Sequence, residues 1–172
     1  MTMKKQSKKP IEETVSLRLW TYAGALKIVP YIRSLTQSLR DAWLELRQSQ
    51  SQVRRISSRP GRPDRDTLIH LEESQRELQR AEVKLEEIIE EMLPLSAYSV
   101  DPTAGLVVVP CISNGALAWF VFDLFDPQGL VGWRLHSDPL EMRRPLAEFE
   151  LSGAKEIASS DSSQMTKSQN SL

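Results

Sequence analysis

Residues 28–56 read IVPYIRSLTQSLRDAWLELRQSQSQVRRI, and their periodicity decides the fold. Ile28, Ile32, Leu35, Leu39, Ala42, Leu46, Ser49, Val53 and Ile56 follow one another at alternating steps of four and three. That spacing keeps one stripe on one side of a helix, the seam along which helices zip together, with Ser49 its one polar member. Ser57-Ser58-Arg59-Pro60-Gly61-Arg62-Pro63 stops the helix, because two prolines and a glycine cannot continue it. Asp64 or Asp66 can cap a second helix. There Leu71, Ser74, Leu78, Ala81, Leu85, Ile88 and Met92 repeat the stepping until Pro94 intervenes. Two seams joined by a short loop predict a coiled-coil-like antiparallel hairpin with helices over residues 21–57 and 65–93. At 1.5 Å per residue its arms would be roughly 40 Å long.

Working outward, Val15, Leu17 and Leu19 alternate with Ser16, Arg18 and Trp20, which predicts a half-buried strand over 15–20. Thr21 then suits a helix N-cap. Gly24 weakens the first turns, and Pro30, lacking an N–H, is expected to kink or restart the helix. Beyond Pro94 the pattern changes. Gly105 to Pro110 reads as a short strand after an Asp101-Pro102 turn. Leu117 to Phe125 is apolar except for Asp123, as in a strand covered on both faces. Asp126-Pro127-Gln128-Gly129 suits a type I turn, and Leu130 to His136 returns antiparallel. The expected fold is α+β: a long hairpin packed on a small antiparallel sheet, a meander over 105–136 edged by 15–20. One domain spans 13–150, between a disordered basic tail (1–12) and a disordered polar tail (151–172).

Over 172 residues the charges nearly cancel, 22 Lys plus Arg against 23 Asp plus Glu, but they are not evenly spread. Residues 1–63 carry a net +9, residues 64–93 a net −6 and residues 94–150 a net −4. A basic segment followed by an acidic one suggests elements lying side by side. The single Cys111 rules out an internal disulfide framework and a multi-cysteine zinc site. No apolar run reaches the ~18 residues a bilayer span needs, and the lysine-rich opening has no apolar stretch behind it, so the cytoplasm is the expected compartment.

The chemistry-bearing residues are few. Phosphate loop, His-Glu-x-x-His, calcium loop and nucleophile elbow are all absent. His70 reads as a solvated helical side chain. His136-Ser137-Asp138 cannot form a relay, because neighbours in an extended chain point to opposite sides. Cys111 reads as a packing residue. Glu82, Glu86 and Glu90 stand four apart on the second helix, but the inward positions are Leu78, Leu85, Ile88 and Met92, so these acids read as a solvated face. No catalytic residue, cofactor site or metal ligand is assigned. Trp133, His136 and Arg144 could line a small-ligand pocket if the chain were an enzyme.

The most informative polar feature is a row of arginines, Arg33, Arg40, Arg47 and Arg54, seven residues apart. They share one helical face at about 10.5 Å spacing. None has an acid three or four places away in its own helix, so their partners lie elsewhere. The hairpin would bring Arg33 level with residues 89–91 and Arg54 level with 69–73, where Glu72, Glu73, Glu90 and Glu91 stand. A partner protein is the second reading. Nucleic acid, assisted by Lys4, Lys5, Lys8 and Lys9, is the third, without interleaved aromatic residues for stacking. Trp43 lies just off the seam, where a two-helix hairpin would leave it wet. Either the sheet folds back over it and over Trp20, Trp119 and Trp133, or another subunit covers them.

Trp20-Thr21 followed by Ala25 and Pro30 is similar to an aromatic-Thr-x-x-x-Ala-x-x-x-x-Pro opening, and a helical hairpin follows it. Then come a Gly-Leu-Val strand ending in Pro110, and Trp133 leading to Arg143-Arg144-Pro145. In this order, over Leu17 to Phe149, the chain resembles a prokaryotic family, domain of unknown function 2203. The family pattern has Asp-Phe where Val108-Val109 stands, Cys-Trp near Phe122-Asp123, Gly-Glu at Asp126-Pro127 and His at Arg134. The resemblance therefore implies a fold and a bacterial or archaeal origin, and no activity. The function expected is a non-enzymatic interaction or scaffold protein working through the hairpin as a homo-oligomer or with another protein. Anion or nucleic-acid binding through the basic first helix is the alternative.

Overall fold

The structure, a computed structural model, describes residues 16–149. The expected tails and Val15 lie outside them. Two long helices come first, α1 (Tyr22–Ser57) and α2 (Arg65–Met92). A 3-10 turn, Leu93–Leu95, leads into four strands: β1 (Tyr98–Asp101), β2 (Leu106–Ser113), β3 (Ala116–Asp123) and β4 (Leu130–Leu135). All three strand pairings are antiparallel, in the order β1-β2-β3-β4.

Both helix starts follow from their caps. Thr21 Oγ1 accepts from the Gly24 backbone N–H at 3.1 Å, and Asp64 accepts from that of Thr67 at 2.8 Å. Replacing Thr21 with Ala should cost about 1 kcal/mol. A thermal melt would register this as a fall of roughly 2–4 °C.

Helix α1 passes through Pro30 without interruption, so the helix does not restart there. Pro30 and Leu26, whose carbonyl loses its donor, are both exposed, so water can serve the orphaned oxygen. The seams meet as read. Ala42, Leu46 and Ile56 of α1 and Ser74 and Ala81 of α2 are buried between the helices.

Only the first half of α1 lies on the sheet. The shared core takes Ala25, Ile32, Leu35 and Leu39 from α1, Leu85, Ile88 and Met92 from α2, and Val107, Val109, Phe120, Phe122, Leu130 and Trp133 from the strands. Beyond Arg40 the two helices run on together as an arm. From Ala42 to Ser57 it is roughly 24 Å long.

Residues 16–20 are extended but form no strand, and the sheet's edge is β1 instead. Trp20 N–H donates to the Pro110 carbonyl at 2.8 Å and Arg18 N–H to Ser96 Oγ at 2.8 Å. Pro110 has no N–H to return, so the ladder stops after one bond. The β2–β3 connection is a two-residue turn with both central residues at positive φ, Asn114 at 50° and Gly115 at 73°. That is the hairpin turn whose twist matches the strands. Among the described residues no helix is long and apolar enough to cross a membrane.

Candidate functional site

The arginine row divides at the end of the sheet. Arg33 Nη2 donates to the carbonyls of Asp126 (2.8 Å) and Pro127 (2.9 Å), clamping the β3–β4 turn to α1. In the same turn Gly129 sits at φ 78°, and a Cβ there would meet Val29 Cγ1 at 2.6 Å. Any other residue would push the turn off the helix. Arg40 Nε donates to the Thr103 carbonyl at 3.1 Å, and its guanidinium lies 5.3 Å from the Phe125 ring centre. Arg47 and Arg54 are exposed, and their guanidinium groups bond to nothing among the described residues. None of the four pairs with Glu72, Glu73, Glu90 or Glu91. The carbonyls of the sheet's turns lie closer to the first two, and they satisfy a guanidinium fork without the cost of fixing a second long side chain.

The ion pair that does cross the hairpin is Glu45–Lys84, at 2.8 Å. It borders an open groove of about 440 Å³ lined by Glu45, Gln48, Ser49, Gln52, Glu77 and Arg80. The groove opens at Ser49, the polar member of the seam. Trp43 is half-buried, one turn beyond Arg40 on the side that faces the sheet.

Trp133, His136 and Arg144 do not form one pocket. Trp133 points into the core between sheet and helix, and its Nε1 donates to the Pro145 carbonyl at 3.1 Å. Arg144 lies alongside: its backbone and that of Trp133 exchange hydrogen bonds of 3.1 and 2.7 Å. Its guanidinium holds Asp138 through two bonds of 2.9 and 3.0 Å. His136 belongs to the opposite face of the sheet. There its Nδ1 accepts from Trp119 Nε1 at 3.0 Å, beside the patch of Val108, Trp119 and Val121. Arg134, the neighbour of Trp133, is buried on that outer face. Its Nη1 donates to the Asp138 carbonyl at 3.2 Å.

Asp138 thus ties residues 138–145 to β4 as a strap, a role that sequence reading missed because its partner stands six residues away in an irregular segment. The Arg144 hydrogen bonds, followed by the Leu135 N–H, hold its carboxyl below the ordinary aspartate value of 3.8. A carboxyl lowered in the folded state stabilises the fold above its unfolded value, and that contribution disappears as pH falls through the folded value. Asp138→Asn should therefore lower the urea midpoint at pH 7, and its gap from wild type should narrow at a pH well below 3.8. Equal gaps at both pH values would contradict this strap.

Cys111 is fully buried in the core, where burial pushes its thiol up to about 12. That environment suits packing and opposes nucleophilic use. Among the described residues no three His, Cys, Asp or Glu side chains converge as metal ligands would.

No curated protein and no solved structure matches the chain. A family model does: that of DUF2203, an uncharacterized conserved protein, over residues 18–145. The match begins two residues before Trp20 and ends on Pro145, spanning the helical arm, all four strands and the strap. The chain belongs to the DUF2203 family.

Proposed function

We propose that this is a non-enzymatic interaction or scaffold protein of the cytoplasm that works through its helical arm and self-associates. One observation carries the reading: past Arg40 the hairpin leaves the sheet, and on that free stretch the guanidinium groups of Arg47 and Arg54 have no partner among the described residues. Long cationic side chains without a partner cost nothing in water but are ready to bind an acidic surface. Trp43 beside them supplies the kind of aromatic anchor that dominates binding energy at interfaces. Binding of a polyanion such as nucleic acid draws less support, since Arg33 and Arg40 are drawn onto backbone carbonyls of the sheet's turns, which leaves two of the four arginines on the free arm.

Light scattering on the full chain tests the reading. The expected mass is twice the 19.6 kDa of one chain at micromolar concentration. A mass of 19.6 kDa at every concentration that stays soluble would overturn self-association.

A further inference from the structure

The two helices carry opposite charge that they do not use on each other. Helix α1 has a net +4 and α2 a net −5. The one ion pair across the hairpin among the described residues, Glu45–Lys84, joins one of the two acids of the basic helix to one of the four bases of the acidic one. It leaves both surpluses intact.

The surpluses share a face. Arg33 and Thr36 of α1 turn toward the sheet, lining the contact with Phe122 and Gly129. Seven residues per two turns carries that face past the end of the sheet to Trp43, Arg47 and Arg54. On α2, Glu77 and Lys84 flank the seam on the opposite side, with Glu45. Glu82 and Glu86 therefore flank it on the sheet side, level with Trp43, exposed and in no ion pair among the described residues. The arm thus presents a basic strip and an acidic strip side by side, ended by the sheet and the 63% exposed Phe125.

Resting on the self-association proposed above, we infer that the occupant of this face is a second copy, clasped arm on arm about a twofold axis. An isologous contact makes the same patch meet itself. With the arms antiparallel, Arg47 and Arg54 of each copy face the acidic strip of the other, Glu82 and Glu86 included, and the tip of each hairpin reaches the other copy's Phe125. The contact is about 24 Å long and two helices, about 20 Å, wide. It covers roughly 500 Å² per copy, near the lower limit for a specific interface. With so small an area the crossed charges decide the affinity, and the dimer weakens as salt shortens the Debye length to about 3 Å at 1 M.

Sedimentation equilibrium tests this with the full chain and two double variants, Arg47→Glu with Arg54→Glu and Glu82→Arg with Glu86→Arg. Each alone should dimerise at least tenfold more weakly than wild type. Mixed one to one they should recover the wild-type constant, because both strips are then complementary. Circular dichroism checks that each variant is folded. If either is not, the neutral pair Arg47→Gln with Arg54→Gln takes its place and should weaken the dimer severalfold. A wild-type dimer that all variants leave unchanged overturns this face while self-association stands. Weakened variants that fail to recover on mixing overturn the crossed pairing. A wild-type monomer at all concentrations overturns both readings.

Discussion

Replacing Phe120 with Ala should cost about 3–5 kcal/mol, the range for emptying a fully buried phenylalanine site. Phe120 is wholly buried in β3, and its ring lies 4.7 Å from that of Phe149 and 6.1 Å from that of Tyr22. Phe149 in turn sits 5.4 Å from Trp133, so one ring ties α1, the central strands and the segment after the strap together. Tyr22 is fixed in α1 and Trp133 in the ladder of β4, so neither can move fully into the space. A domain of this size has only about 5–15 kcal/mol to lose. In urea the midpoint should fall by about 2 M, given a dependence of roughly 2 kcal/mol per molar. Phe125→Ala is the contrasting case. Its ring is exposed, and the loss should stay within about 0.5 kcal/mol in the monomer. A Phe120 variant that melts like the Phe125 variant would mean that the sheet and α1 do not share this core.

Cys111 should be inert while the protein is folded. At pH 8 an ordinary thiol of 9.0 is about one part in ten ionised, whereas one pushed to about 12 is ionised about one part in ten thousand. Alkylation by iodoacetamide should run at least about a thousandfold slower in buffer than in denaturing urea. Modification at comparable rates in both would refute the burial. The same shift sets an alkaline limit. A thiol whose folded value lies above its unfolded one stabilises the fold below pH 9, and that contribution is lost as pH rises from 9 toward 12. Cys111→Ala should flatten that decline relative to wild type.

The features legible in the sequence are those written in local pattern. The heptads of Ile28–Ile56 and Leu71–Met92, the caps at Thr21 and Asp64 and the Asp126–Gly129 turn each depend on residues a few places apart. Strand β1 was not legible. Tyr98-Ser99-Val100-Asp101 does alternate apolar and polar residues, but four positions are the least that such a pattern can occupy, and the strand buries almost none of them. The alternation in Leu17 and Leu19 gave the opposite error, because nothing local reveals that the segment would meet a proline, Pro110, with no N–H to offer. The arginine row showed its face but not its partners. Those are carbonyls of turns 63 to 94 residues away, and a carbonyl leaves no mark in a side-chain pattern. Trp133 and His136 stand three residues apart, an odd step along an extended chain, and so face opposite sides of the sheet, which the strand alternation alone already implied.

The two margins of the sheet bear on how copies of the chain can and cannot meet. At one margin β1 is four residues long and slips register between Ser99 and Asp101. At the other, Arg144 occupies both bonding groups of Trp133. A straight, unclaimed strand is what lets β-proteins add to one another without end, and short, irregular or capped margins deny that template. The molecule is thereby steered away from open-ended fibrils, and any growth it undergoes is left to its helices, where a pairing about a twofold axis closes on itself and stops.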